Sequence, residues 1–591
     1  MRQVIQPHIS KTIKKGIFFL CGYILLSLVI GLFFTAITVL TIYTQNFKFT
    51  SVSSVSARVV ITPLTILFPE RFFPTMHLWN SGLKILDLSP KFLTTFESGF
   101  SDFSQNASLS LTTRNDAQKV SSLACAEIYK IKKNSERSFL IAVLKKERVD
   151  NIEANLELTE KLCVFSQLVF QNYEVLTGNE EEKNYLILFQ NDRELRPTGG
   201  FLGSYAWVTF YKGQMTHFEV QDIYVPDGQL GGHVNPPLPI QEAFQQGFWK
   251  LRDANWHPDA IKSAENIEWF FEQSGSKKID GTIYISYHSI EKIFEQIGDI
   301  YLPDYGETIK PEELYTFLQT EVEKDFFPGS TKKQNILSSI SAQFFQNIQQ
   351  LSIEKKLSLI KVLDQQLNEK FILFTVKNDV IHQYLNDQHW SGQFTNIPCQ
   401  SENCLNDFFS IIDANLGVNK ANCCVERVVN ITKNLNQTDQ KMNTVVQLEY
   451  TLTEPKEELK KFAGAYKAFV RVYLPTGTTS KKIMLNGQTY DDFIQKGIEA
   501  SWFYPKTNIH PTQDDFDQLS EYGFWIYVQS NEKLIVDIEF ETPLPSAETY
   551  QLFIRKQPAT LDAYNNWTVK INGKTHFENI LQQDKIVTPS L

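Results

Sequence analysis

The spacing of apolar residues changes several times along the chain, and each change marks a region. Gly16 to Tyr43, GIFFLCGYILLSLVIGLFFTAITVLTIY, is an uncharged apolar run, longer than the roughly 20 residues that span a bilayer core. Arg2, Lys11, Lys14 and Lys15 precede it. The positive-inside rule then puts residues 1–15 in the cytoplasm and the bulk of the chain on the other side of the membrane. A cleaved signal peptide would carry a shorter apolar region, about 7 to 15 residues, and a small-residue cleavage site. The expectation is therefore an uncleaved, single-pass anchor over 16–43 in the cell membrane. A second apolar stretch, Val59 to Phe73, is broken by Pro63, Pro69, Glu70 and Arg71 and suits a short amphipathic segment at the membrane surface.

Residues 44–180 then form a juxtamembrane and helical region. SSLACAEIYKIKK and the long run from Ala142 to Leu176 place apolar residues three and four apart without proline, the pattern of packed amphipathic helices. Over 181–355 strands alternate with helices. YLILF leads into a charged loop, AWVTFY and HFEVQDIYV read as a hairpin across Lys212 and Gly213, and PDAIKSAENIEWFFEQSG reads as a helix with Pro258 in its first turn and Gly275 at its end. GTIYISY and HSIEKIFEQIG repeat the strand and helix, which predicts an α/β sandwich. Residues 356–426, including FILFTV and DFFSIIDANLG, read as a short α/β continuation. From 427 to 591 apolar and polar residues alternate between the turn signals PTG, NGQ and ING, as in an antiparallel β-sandwich.

The length of 591 residues suits three or four domains, and 42% hydrophobic with 13% aromatic residues is enough for large cores. The net charge of −10 argues against a nucleic-acid partner. Cys21 lies in the anchor, leaving Cys125, Cys163, Cys399, Cys404, Cys423 and Cys424, six cysteines with 15 possible pairings. Disulfides fit an extracytoplasmic location: Cys125 with Cys163, and two bridges among the other four. Zinc is the alternative, but adjacent Cys423 and Cys424 break the usual Cys-x-x-Cys spacing and the nearest histidine, His389, lies outside the cluster.

The densest candidate for chemistry is NDRELRPTGGFLGSY after the first core strand. Asp192, Arg193, Glu194 and Arg196 sit on a turning backbone with Pro197, Gly199, Gly200 and Gly203. Three more patches could join it: Gln221, Asp222 and Asp227 near the DGQLGGH turn; Arg252, Asp253, Asn255, His257 and Asp259; and Lys332 with Lys333. Cations to neutralise phosphate oxygens and carboxylates to hold magnesium are what phosphoryl transfer needs. The plainer alternative is that Arg196 and Arg252 pair with Asp222, Asp227 or Asp253 as buried ion pairs, with His257 and Asp259 capping the next helix. GGFLG runs into a strand and lacks dinucleotide-loop spacing, and the chain has no Walker loop, Gly-x-Ser-x-Gly or His-Glu-x-x-His motif.

NDRELRPTGGFLGSY, DGQL with PP, RDANWHPDA, DGTIYIS and FFSIIDANLGVNKANCCVERVV resemble, in order, the signature series of an uncharacterised bacterial family, domain of unknown function four thousand and twelve. The resemblance spans roughly Tyr185 to Leu485, and implies a single-pass envelope protein with a helical region before the core and β-rich sequence after it. More distantly, NYLILFQNDR, THFEVQDIYV and IDGTIYISYHSIEKIFEQIGDI resemble the LytR-CpsA-Psr family, which transfers glycopolymers from polyprenyl-pyrophosphate carriers to the cell wall. This implies an α/β core of that type, after a transmembrane helix and helical region and before an all-β sandwich. Where that family has Arg-x-Asp-Thr after the glycines this chain has Phe201, Leu202, Gly203 and Ser204, and for Pro-Arg-Asp-Thr it has Val220, Gln221, Asp222 and Ile223.

The leading expectation is an envelope protein that binds a polyprenyl-phosphate lipid or envelope glycan. Arg193, Arg196, Arg252, Lys332 and Lys333 would contact the anion, and Asp222, Asp227 and Asp253 would be available to Mg2+. Were it an enzyme, the reaction would be a magnesium-dependent glycopolymer phosphotransfer, with Asp222 or Asp253 near the acceptor hydroxyl. The competing expectation is a non-catalytic surface scaffold or adhesion protein whose arginines satisfy buried carboxylates. The two differ in whether Arg196 and Arg252 face an open pocket or are sealed in ion pairs.

Overall fold

The computed structural model describes residues 74–106, 108–135, 146–228, 232–303, 305–323, 332–399, 403–490 and 519–589. The expected anchor over 16–43 and the Val59–Phe73 segment lie outside them. Among the described residues no helix is long and apolar enough to cross a membrane. The described residues divide into two compact units, those up to 181 with 211–215, and those from 182 to 210 and from 216 onward.

The first unit contains helices α1 (Pro74–Asn106), α2 (Leu111–Ser135), α3 (Lys146–Gln171) and α4 (Tyr173–Thr177). Buried Glu127 of α2 pairs with Lys84 of α1 at 3.1 Å, and Cys125 of α2 is bridged to Cys163 of α3. Beside the bridge, the Ser121 and Ser166 hydroxyls meet at 2.6 Å, so the helix pair shares a polar contact as well as a covalent one.

The second unit opens with a five-stranded sheet. Its strands are β1 (Lys183–Asn191), β2 (Phe201–Tyr211), β3 (Gln214–Asp222), β4 (Gly281–Ser286) and β7 (Ile372–Val376), in the order β3-β2-β1-β4-β7. The expected hairpin forms at Lys212 and Gly213, both with positive φ, 52° and 79°, as a tight two-residue turn demands. β1 runs parallel to β4 and antiparallel to β2, which brings the C-terminal ends of β1 and β4 to one edge. One face of the sheet buries Leu186 and Leu188 against Ala264, Ile267 and Phe271 of helix α5 (Ala260–Gln273). A small hairpin, β5 (Ile300–Leu302) with β6 (Glu307–Ile309), follows helix α6 (Tyr287–Ile297). Helices α7 (Lys332–Gln350) and α8 (Ile353–Asn368) lead back to β7.

Two further sheets share one apolar core. The first comprises β9 (Val425–Asn436), β10 (Lys441–Leu452), β12 (Thr479–Leu485), β13 (Gln488–Thr489), β15 (Glu532–Pro543), β17 (Asn566–Ile571) and β18 (Lys574–Ile580). The second comprises β8 (Cys404–Asn415), β11 (Tyr466–Pro475), β14 (Leu519–Val528), β16 (Thr549–Arg555) and β19 (Lys585–Val587). The observed architecture is thus a mixed α/β core followed by β-sheets.

Strand β8 differs from the expectation. DFFSIIDAN reads as part of an α/β continuation, yet it is the central strand of the five-stranded β8 sheet, antiparallel to β11 and parallel to β16. Both its faces are covered. Phe409 and Ile411 enter the core between the two sheets, while Phe408 and Ile412 pack with Phe394, Tyr473 and Phe553. A strand buried on both faces loses the alternation that marks its neighbours, so its sequence resembles that of a core α/β strand.

Candidate functional site

The charged loop leaves β1 at Asn191 and returns as β2 at Phe201. It is closed by its own backbone: Glu194 N–H donates to Asn191 O (3.1 Å), Gly199 N–H to Arg196 O (2.9 Å) and Phe201 N–H to Glu194 O (2.9 Å). The crossing is tight enough that a Cβ at Gly200 would lie 2.5 Å from the Asn191 carbonyl. Buried Asn255 anchors the loop from outside, its amide donating to Thr198 Oγ1 (2.9 Å) and Gly200 O (2.8 Å).

The side chains of this loop face other protein charges. The Arg196 side chain, 2% exposed, pairs with Glu194 at 3.2 Å and Asp253 at 3.4 Å and donates to the Asn415 carbonyl. Arg252 meets Asp227 at 3.0 Å and the other oxygen of Asp253 at 3.7 Å. Arg193 meets Asp192 at 2.6 Å and Glu291 at 3.1 Å, with its guanidinium 4.6 Å over the Tyr315 ring. Lys420 closes on Glu194 at 2.5 Å. Arg196 and Arg252 therefore converge, as a shared site requires, but on a carboxylate of the protein itself.

Counting the paired groups gives four cations, Arg193, Arg196, Arg252 and Lys420, against five carboxylates, Asp192, Glu194, Asp227, Asp253 and Glu291. An anion entering this network would meet no surplus of positive charge. Burial raises the Asp253 carboxyl above its ordinary range, opposed by Arg196 and Arg252. Asp227 is raised by burial too, against Arg252 and the Leu251 N–H. Beside the loop, burial pushes His288 down to about 4, so its imidazole is neutral at pH 7.

The predicted site residues fall into three groups. Arg193, Arg196, Arg252, Asp227 and Asp253 join the network above. Asp222, at the end of β3, accepts the Tyr224 N–H at 3.0 Å and acts on Tyr287, whose hydroxyl burial, Asp222 and Asp192 all raise; it therefore lies near the same sheet edge. Lys332 and Lys333 open α7, and their side chains lie outside the described residues, as does most of the EVEKDFFPGSTKKQ segment. Asp259 caps α5, accepting from Ile261 (2.8 Å) and Lys262 (3.3 Å), and His257 Nδ1 accepts the Asp259 N–H at 3.0 Å.

The carboxylates offered for magnesium are engaged by protein groups. Among the described residues no cluster of three or more His, Cys, Asp or Glu is placed to hold a metal. Asp227 already accepts from Arg252 and from the Leu251 N–H (2.6 Å). Asp253 is held between two guanidinium groups.

The sequence did not single out the partners that come from the β-rich region. Leu195 N–H donates to Asn422 Oδ1 at 3.0 Å, Asn422 N–H to Arg193 O at 3.1 Å, and Asn415 N–H to Leu195 O at 2.9 Å. Gln557 donates to Arg196 O at 3.3 Å, and Leu195 itself sits in the core between the two β-sheets. The available signal was the NLGVNKANCC motif, whose Asn415, Lys420 and Asn422 all meet the loop. Its cysteines bridge as Cys423–Cys424, and Cys399 is bridged to Cys404.

The fold and site define a mixed α/β domain whose charged loop is inserted into a β-rich neighbour. Residues 180–322 match the family model described as Protein of unknown function (DUF4012). No curated protein matches the chain significantly. Among solved structures, the Lin1025 protein from Listeria innocua is 10% identical, with 36% of this chain and 80% of that one covered and a TM-score of 0.23. A structure described as the transcriptional regulator yvhJ from Bacillus subtilis is 13% identical, covering 31% of this chain and 76% of its own at a TM-score of 0.19. Likeness at these scores carries no argument about function.

Proposed function

We propose that this chain is an envelope protein, tethered by an N-terminal membrane anchor, that serves as a non-catalytic surface scaffold or adhesion protein. The observation that carries this reading is Arg196, buried and bound to Glu194, Asp253 and the Asn415 carbonyl. In a transferase site that arginine would be held back for a pyrophosphate. Here it joins the α/β sheet to the β-rich region, and the RPTGG loop is a structural joint. Asp253, shared by two arginines, is likewise unsuited to act as a base toward an acceptor hydroxyl.

The resemblance to glycopolymer transferases makes a polyprenyl pyrophosphate the ligand to test. The full chain in detergent is titrated with it, with and without magnesium, beside the Arg196→Ala plus Arg252→Ala variant. The scaffold reading expects no saturable binding and a variant that unfolds more readily. Saturable binding to the native chain that the variant loses while remaining folded would overturn it.

A further inference from the structure

Lys433 of β9 and Asp407 of β8 meet between the two sheets of the β-sandwich, with Nζ 2.8 Å from Oδ2 and side chains 0% and 1% exposed. Each strand belongs to a different sheet. The two oxygens of Asp407 are treated differently. Oδ1 accepts the Phe408 N–H at 2.8 Å, while Oδ2 faces Lys433 and also accepts the Tyr550 hydroxyl. The surroundings are otherwise nearly apolar: Phe409 lies 5.8 Å from the ammonium, Met442 is buried alongside, and Thr444 Oγ1 accepts from Nζ at 3.4 Å.

We propose that Lys433 and Asp407 form an intramolecular isopeptide bond after folding, with loss of one water molecule. The ammonium passes one proton to Oδ2 and the neutral Lys433 amine attacks the Asp407 carbonyl carbon; the tetrahedral intermediate then loses a second N–H proton. The C–Oδ2 bond breaks, and Oδ2 leaves as water carrying both protons, one of them relayed by the Tyr550 hydroxyl. Oδ1, held by the Phe408 N–H, remains as the amide oxygen. The overall change, ammonium plus carboxylate to amide plus water, balances without an oxidant, a nucleotide or a metal.

Three physical points support the step. Folding fixes nucleophile and electrophile in contact, which replaces a bimolecular encounter by an intramolecular one. Condensation also turns two desolvated charges into one neutral amide, relieving the penalty of a buried ion pair. The Tyr550 hydroxyl already donates to Oδ2, which puts it on the path by which a proton reaches the leaving oxygen. Among the described residues a second buried lysine pair, Lys370 with Asp584 at 2.5 Å, differs in its surroundings: both Lys370 and Arg555 act on Asp584, so condensation there would leave a buried guanidinium facing a neutral amide. The inference does not depend on the scaffold reading.

The test is the intact mass of the purified full chain, followed by a peptide map. The expected result is a chain one water lighter than its sequence after allowing for disulfides, and a branched peptide joining the Asp407 and Lys433 segments. Lys433→Arg should restore the full mass, because an arginine is not released as a free amine. Tyr550→Phe should slow formation about a hundredfold. A native chain at full mass, or a water lost at a different pair, overturns the proposal whatever the variants do. An unchanged rate in Tyr550→Phe overturns the role given to that hydroxyl.

Discussion

The α/β core and the β-sandwich both bury charge, and they neutralise it by different means. In the core, arginines and carboxylates from loops share partners, so that Asp253 serves Arg196 and Arg252, and Glu194 serves Arg196 and Lys420. In the sandwich, two buried pairs sit on facing strands and join one cation to one carboxylate. Arg427 meets Asp413 at 2.8 Å, whose other oxygen accepts the hydroxyls of Tyr466 (3.1 Å) and Tyr564, and Lys433 meets Asp407. A shared network fails as a unit when a member is removed, whereas a closed pair can be exchanged whole for apolar residues.

That contrast can be broken most directly at Arg196. Arg196→Ala strands Glu194 and Asp253 without their cation and should destabilise the protein by about 3 to 5 kcal/mol in chemical denaturation. A loss below about 1 kcal/mol would mean that the network is a surface feature and not a joint.

The next effect in size is one of pH. His288 is held neutral by burial, with a folded value near 4 against an ordinary 6.5. A depressed folded value means that the unfolded chain binds the proton first. The contribution is complete above about pH 6.5 and is lost as pH falls towards 4, up to about 3 kcal/mol. His288→Gln should flatten the unfolding midpoint between those pH values, and an unchanged slope would remove His288 as its source.

The smallest expected change is in the sandwich. Replacing Arg427 by Met together with Asp413 by Leu should alter stability by about 1 kcal/mol or less, while Asp413→Leu alone should cost about 3 to 5 kcal/mol. If the double replacement cost as much as the single one, the tyrosine hydroxyls left without Asp413 would be carrying the stability, and the sandwich would be a network like the core.

The two regions also differ in how much of them can be read along the chain. The charged loop is legible because Asp192, Arg193, Glu194 and Arg196 are adjacent and followed by glycines, and the hairpin at Lys212 and Gly213 shows its turn chemistry locally. Arg252 and Asp227 are 25 residues apart, and the sequence left Arg252 with Asp222, Asp227 and Asp253 as candidate partners. Lys420, Asn415 and Asn422 meet the loop from more than two hundred residues away; NLGVNKANCC marks them as a motif, but nothing local says which loop they meet. Lys433 shares the inward register of Val429 and Ile431, and Asp407 that of Phe409 and Ile411, but that they face each other is decided only when the sheets stack.

Local pattern therefore determined the apolar N-terminal run, the helices, the α/β alternation, most strands, and the cluster of charges after β1, because each depends on residue spacing within one element. Tertiary structure decided that β8 belongs to the sandwich, that Arg196 is sealed by Asn415 and two carboxylates, and that Lys433 faces Asp407 in the dry interior. Those outcomes depend on which buried surfaces meet across long stretches of chain, and on whether a charge finds its partner once water has been excluded.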